Sequence, residues 1–416
     1  MIKQSSAILT IRFLVSFVLT FLSAESIHLQ AQAVEGESPD TSVLSVKQPG
    51  ISYTSKGFEM TSGDGDYTMQ IQWRFQFRAA LPADPVWANL SQGATNEQYY
   101  MGIRRARLKV GGHGFAPWLK YYMEYELASS KLLDFRIMVE KYPWLNLKIG
   151  QWKVHYNRER VISSGKQQMM DRSILTYFFT IDRQQGISIY GRLNNGGLAD
   201  FNYWLALLNG TGRGSGLNMK GNAMYMGRLQ WNFLGEPVPF MGSDLERREK
   251  PVGELSLAGL SNRSAYTRFS QAGGGSLERF PLGTNDQYGL KQLLIESAFM
   301  YRGLSWQQEL HFKRIEDFVN TSTTDMAGNY MQAGYFFNQL IGWVPEKLEM
   351  AFRHAILDPD RSLQDDLVNE FSLVLNYFFK GHHNKLTAEV NIHHFQPLYP
   401  GVKNETQFRL QWDISF

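Results

Sequence analysis

From Tyr67 onward the chain alternates between apolar and polar residues. In YTMQIQWRFQF, Tyr67, Met69, Ile71, Trp73, Phe75 and Phe77 fall on one face, and Thr68, Gln70, Gln72, Arg74 and Gln76 on the other. The same period of two returns in LKYYMEYEL from Leu119, AMYMGRLQWNF from Ala223, EFSLVLNYFF from Glu370 and KLTAEVNI from Lys385. A helix would space apolar residues three and four apart, and a strand buried on both sides would be apolar throughout. One apolar and one wet face, each segment near ten residues, is what a membrane-spanning barrel wall requires. About sixteen such segments fit between Tyr67 and Phe416, an even number, as single-chain barrels need. The last of them, TQFRLQWDISF, lines up Phe408, Leu410, Trp412, Ile414 and Phe416. On an open sheet edge that row would invite aggregation; closed against the first strand, it faces lipid. The pattern therefore predicts an all-β, 16-stranded antiparallel transmembrane β-barrel.

The connections alternate in length. Short ones fall at 113–117, 141–144, 194–197, 301–303 and 380–384, and long ones at Ala79–Glu97, Gln151–Gln185, Asn209–Gly221, Ser261–Tyr288 and Asp317–Gly328. Short periplasmic turns on one rim and long extracellular loops on the other match an outer-membrane barrel. The connection at Ala128–Lys131 is shorter than this scheme, and Leu234–Lys250 is longer. The stretch Gln151–Gln185 stands apart. It separates the alternating LNLKIG and GISIYGRL, has no clean period, and is rich in Arg, Ser and aromatic residues. So long an aperiodic connection is usually functional, and here it predicts an inward-folded constriction loop.

Composition sharpens the address. Aromatic residues make up 14% of the chain, and there is no cysteine, so an exported protein of this sequence does not rest on disulfides. The basic start with Lys3 and Arg12, the apolar run Ile11–Ala24 and the Ala31-Gln32-Ala33 pattern predict a signal peptide over 1–33. Residues 34–66 read as a flexible N-terminal segment and 67–416 as the barrel, in the outer membrane of a Gram-negative bacterium and in contact with its lipid. A formal net charge of +3 is too mild to point to nucleic acid.

If the apolar face meets lipid, the other lines the lumen. Parity sends inward Arg74, Arg78, Arg105, Arg107, Lys109, Lys120, Arg136, Lys148, Arg192, Arg228, Arg353 and Arg409. It sends Glu124, Glu126, Asp134, Glu140, Glu370, Glu389 and Asp413 with them. The basic excess lies in the first half. Rings of Arg or Lys select anions in pores, whereas mixed charges on a wetted wall also arise with no such role.

Two stretches carry a family resemblance. IRRARLKVGGHGFAPWLKYYMEYEL, from Ile103, and LDFRIMVEKYPWLNLKIGQWKVHYNRERVISSGK, from Leu133, resemble the phosphate-selective porin O and P family. The resemblance implies a trimeric outer-membrane channel for phosphate or related small anions, with no cofactor. Residue by residue it implies arginine-ladder positions at Arg74, Arg104, Arg105 and Arg172, lumen lysines at Lys120 and Lys148, and an acidic neighbour of the site at Asp134. In the constriction it implies an anion contact at Arg160, flanked by the hydroxyls of Ser163 and Ser164. The first strand differs from the family's lysine-rich approach, keeping Lys56 beside Glu59, Asp64 and Asp66. That turns the expectation toward anion preference rather than strict phosphate specificity. Parity places Arg105 inward and Arg104 outward, whereas the family has both in the path; a bulge near Gly102 would reconcile them.

Other readings are weaker. A sugar-permeable or general porin would use an aromatic slide, for which Tyr177, Phe178 and Phe179 are candidates. A hydrolase built on His155 with Ser163 or Ser164 lacks both a G-x-S-x-G elbow and an orienting carboxylate. The pairs His382-His383 and His393-His394 do not suggest a metal site, because neighbours on a strand point to opposite faces.

Overall fold

The structure, a computed structural model, describes residues 49–83, 99–214, 222–270, 273–397 and 404–416. The expected signal peptide lies outside these residues, as do parts of the connections at 79–97 and 209–221.

A hairpin, β1 (Gly50–Thr54) and β2 (Gly57–Thr61), precedes the wall and pairs with its first strand. The wall begins with β3 (Thr68–Leu81), β4 (Tyr100–Gly114), β5 (Ala116–Glu126), β6 (Lys131–Tyr142) and β7 (Leu145–Lys153). It continues through β8 (Arg183–Asn194), β9 (Asp200–Leu208), β10 (Met224–Trp231) and β11 (Val252–Ser264). A small hairpin, β12 (Arg268–Ser270) and β13 (Gly273–Gly275), sits in the next loop. Then come β14 (Tyr288–Tyr301), β15 (Leu304–Asp317), β16 (Ser322–Tyr335), β17 (Leu348–Asp358), β18 (Val368–Lys380), β19 (Asn384–Phe395) and β20 (Glu405–Ser415). Each wall strand pairs antiparallel with the next, and β20 pairs with β3, which closes a 16-stranded barrel. At the seam Trp73 and Phe416 exchange both backbone hydrogen bonds at 3.0 Å, so the final aromatic residue is part of the closure. No helix of the described residues is long and apolar enough to cross a membrane; the chain crosses with strands.

The two faces sort as their chemistry demands. Ile103, Ile137, Ile149, Leu205, Leu257, Ile295, Phe352, Leu373 and Leu410 are exposed on the outside. Arg78, Arg228, Glu296, Arg353 and Glu389 are buried inside. At one rim Tyr142 stacks with Trp144 and Phe201 with Trp231, a stretch of the aromatic girdle that marks the membrane boundary of such barrels.

The rims differ as expected, with some departures from strict alternation. The connection between β15 and β16 is only the turn 318–321, because Thr323–Gly328 belong to β16 and pair with β15. On the short-turn rim two connections are long, 232–251 and 336–347. The hairpin β1–β2 occupies part of the approach read as flexible.

Candidate functional site

The connection between β7 and β8, residues 154–182, turns into the lumen. It is too short in regular structure to stand alone, holding the helices Arg158–Val161 and Leu175–Phe179. Two of its own residues brace it. Glu159 accepts bonds from the Ser173 backbone N–H at 2.6 Å and from the Ser173 and Thr176 hydroxyls at 2.8 Å. Arg172 donates to the carbonyls of Glu159, Arg160 and Ile162 at 2.9, 3.3 and 2.7 Å.

The wall then holds the insertion by its backbone. Glu296 accepts the Arg158 N–H at 2.7 Å, Glu309 the Glu159 N–H at 2.6 Å, Glu389 the Met170 N–H at 2.8 Å and Glu370 the Ile174 N–H at 2.7 Å. Glu349 accepts the Gln168 side chain at 2.7 Å. Arg353 and Lys385 donate to the carbonyls of Asp171 and Gln167 at 2.9 and 2.7 Å. Every one of these wall residues lies between β14 and β19, in the second half of the chain. A buried carboxylate that accepts backbone N–H groups makes strong, charge-assisted bonds. The acidic half of the wall is therefore spent on fastening the insertion.

Asp171 anchors the far side. Its carboxylate lies 2.5 Å from Arg78, 3.0 Å from Arg409 and 3.5 Å from Arg105. Burial pushes this carboxyl up, but Arg78, Arg104 and Arg409 outweigh it and hold it well below the usual carboxylate range. The register explains how Arg104 joins Arg105. Gln76 pairs with Arg105 and Phe77 with Ile103, so Arg104 is the extra residue of a bulge, close to the bulge expected near Gly102. Both arginines act on Asp171.

Against the opposite wall, β3 to β7, a cavity of about 660 Å³ remains open. It reaches from the hairpin residues Ser55 and Lys56 and the turn His382–His383 up to Val161, Ser163 and Lys166 of the insertion. Its wall carries Arg74, Lys109, Lys120, Arg136 and Lys153, against the acids Glu124 and Asp134. Both acids are already paired: Glu124 with Arg107 at 2.7 Å, and Asp134 with Arg183 at 2.5 Å and Arg136 at 2.9 Å. Among the described residues, no carboxylate lies within 4 Å of Arg74, Lys109, Lys153 or Lys166, and Arg74 instead donates to Ser163 Oγ at 2.7 Å. Gly165 makes that approach possible, since a Cβ there would collide with the Arg74 guanidinium.

The structure separates the residues singled out in the sequence. Arg74, Lys120, Asp134 and Ser163 line the cavity. Lys120 is bound to Glu140 at 2.7 Å. Lys148 is buried against the rings of Tyr190 and Trp152, at 4.4 and 5.7 Å. Arg160 is held by Asp182, donating through Nε at 2.6 Å; burial pushes the Asp182 carboxyl up, and Arg160 and Arg183 more than reverse it. Arg105 and Arg104 attend Asp171, Arg172 attends backbone carbonyls, and Ser164 gives its carbonyl to Gln76 at 3.4 Å. Lys153 and Lys166 were not singled out. By parity with Ile149, Lys153 belongs to the outer face; the structure instead places it on the cavity. Lys166 sits in the aperiodic insertion.

A closed barrel with lipid-facing walls and a lumen narrowed from within is a porin, a passive diffusion channel of the outer membrane rather than an enzyme. The family model for phosphate-selective porin O and P matches residues 86–386, and the chain belongs to that family. No curated protein matches in sequence. The fold is similar to an anion-selective porin from Comamonas acidovorans, at 10% identity and a TM-score of 0.54, over 84% of this chain and 100% of that one. It is also similar to the outer membrane channel DcaP of Acinetobacter baumannii, at 10% identity and a TM-score of 0.55, over 84% and 97%. The outer membrane protein OmpT of Vibrio cholerae follows at 10% identity and a TM-score of 0.52, over 84% and 98%. At these identities the likeness is one of fold alone.

Proposed function

We propose that this porin passes small anions in preference to cations, with phosphate and related oxyanions as the permeant class. The observation that carries this reading is the set Arg74, Lys109, Lys153 and Lys166, which line one cavity without carboxylate partners among the described residues while the cavity's acids are already neutralised. An anion passing there exchanges water for guanidinium and ammonium donors and the Ser163 hydroxyl. Several weak sites along one wall suit conduction better than one deep trap, since the ion must also leave. Export through a signal peptide at 1–33, on the residues of that stretch, and assembly as a homotrimer, on the family resemblance, belong to the same reading.

A sugar path finds less support. Phe178 and Phe179 are buried in the packing beneath the insertion, and only Tyr177 of that triplet keeps exposed surface. Phosphate added at millimolar level to chloride current through single channels in a planar bilayer tests the oxyanion reading. Block that weakens in Arg74→Gln and Lys109→Gln is the expected result. Chloride current indifferent to phosphate would remove oxyanions from the permeant class.

A further inference from the structure

The connection between β10 and β11, residues 232–251, belongs to the short-turn rim, yet it too runs inside the barrel. Val238, Gly242, Ser243 and Asp244 are buried. It meets the first insertion directly. Arg158, paired with Glu254 at 3.0 Å, donates to the carbonyl of Val238 at 3.2 Å and to that of Pro239. The Gly242 N–H donates to the Lys166 carbonyl at 2.8 Å. A Cβ at Gly242 would lie 2.5 Å from the Gln168 backbone nitrogen, so only glycine allows the two segments to touch there. Ser243 is fastened to Glu349 at 2.8 Å, the same carboxylate that holds Gln168. Two segments leading from opposite rims are thus locked to each other inside the barrel.

At the tip of the second segment stands Phe240. Its ring meets His155 edge-on at 5.8 Å, and Arg158 lies 5.2 Å from its centre. It lines the same cavity as Arg74, Lys109 and Lys166, with Val161 and Met138 as further apolar lining. The passage therefore offers cations and an apolar, ring-bearing surface together. A bare inorganic anion uses only the first; an anion with an apolar body uses both.

We propose that residues 238–243 form a second jaw of the throat, and that Phe240 is a specificity-determining residue favouring organic anions with an apolar body over inorganic anions. This deepens the anion reading and rests on it. Benzoate is the probe, gluconate the polar anion of equal charge for comparison, and chloride the reference. Permeability ratios come from reversal potentials in planar bilayers, in wild type, Phe240→Ala and Phe240→Leu. The expected result is a benzoate-to-gluconate ratio well above one in wild type. Phe240→Ala should lower the benzoate-to-chloride ratio about three- to tenfold, the worth of one aromatic contact, and raise chloride conductance. Phe240→Leu, which keeps the bulk, should hold chloride conductance near wild type. Gly242→Val, which forces the jaws apart without touching Phe240, should reproduce the change seen in Phe240→Ala and stands in for it if that variant does not fold. Equal passage of benzoate and gluconate in wild type, or a benzoate-to-chloride ratio unmoved by Phe240→Ala and by Gly242→Val, overturns the proposal. The sign of the reversal potential in a KCl gradient reports on the anion reading separately.

Discussion

The carboxylate of Glu309, on β15, accepts the backbone N–H of Glu159 at 2.6 Å, across 150 positions of sequence. The same carboxylate takes the Asn157 side chain at 3.0 Å and lies 2.9 Å from His311. One wall residue thus fixes the start of the constriction. Glu296 does the same one residue earlier, and Glu389 and Glu370 further along. The lumen is uneven in consequence: acids of β14 to β19 take backbone N–H groups of the insertion, while Arg74, Lys109 and Lys153 of β3, β4 and β7 line the cavity.

Removing this fastening should loosen the throat and leave the barrel intact. Hydrogen bonds to charged groups contribute about 1.5–3 kcal/mol, and an orphaned buried N–H costs about 1–3 kcal/mol. Glu309→Ala is expected to give larger and noisier single-channel conductance, while the barrel still resists unfolding in detergent at room temperature. Glu309→Gln keeps an acceptor and should fall between. Conductance and noise unchanged in Glu309→Ala would show that the insertion does not depend on this contact.

Gly165 should be intolerant of bulk for a different reason. Its missing side chain is where the Arg74 guanidinium lies, and Arg74 is bonded to Ser163 at 2.7 Å. Gly165→Val is expected to dislodge Arg74 and weaken phosphate block of chloride current severalfold, with a smaller loss for Gly165→Ala. Ser163→Ala removes one neutral acceptor and should change block by about fivefold or less, in keeping with a net hydrogen-bond value of about 1 kcal/mol. Block stronger in Gly165→Val than in wild type would contradict this placement.

The loop between β17 and β18 should respond to pH. Asp366 is buried, and burial, followed by Asp358 and Asp360, pushes its carboxyl up to about 6 despite Arg279. An unfolded aspartate titrates near 3.9. Between about 4 and 6 the folded loop binds more protons than the unfolded one, so its stability falls as pH rises through that window. Amide exchange over residues 363–367, corrected for intrinsic rates, should show more protection at pH 4.5 than at pH 7. Asp366→Asn should abolish the difference. Protection that grows with pH would refute the assignment.

Much of this was legible from alternation alone. Strand number, closure at Phe416 and the sorting of faces follow from a period of two, because a barrel wall has only two environments. The first insertion was legible by its length. The acidic tethers were not: sequence shows Glu370 and Glu389 on a wet face, but not that their partners are backbone N–H groups of a distant aperiodic segment. Arg160 and Arg172 read as anion contacts on the family resemblance, which matches residue types but does not show the Asp182 and carbonyl groups that meet them here. The second jaw, with Pro237, Pro239 and Gly242, showed only as a turn too long for its rim. The run Asp317–Gly328 reads as a long connection, but Ser322–Gly328 pair with β15 and are strand.

The cations that lack carboxylate partners among the described residues carry the central claim, and charge reversal addresses them directly. Wild type and the Lys109→Glu, Lys153→Glu double variant are compared in a KCl gradient across a planar bilayer. Wild type is predicted to reverse at a potential of the sign set by chloride. The double variant should lower the chloride-to-potassium permeability ratio about tenfold or more, since each unit charge at close range in a wet pore is worth about 1 kcal/mol or more. A wild-type reversal potential of the sign set by potassium would contradict the account.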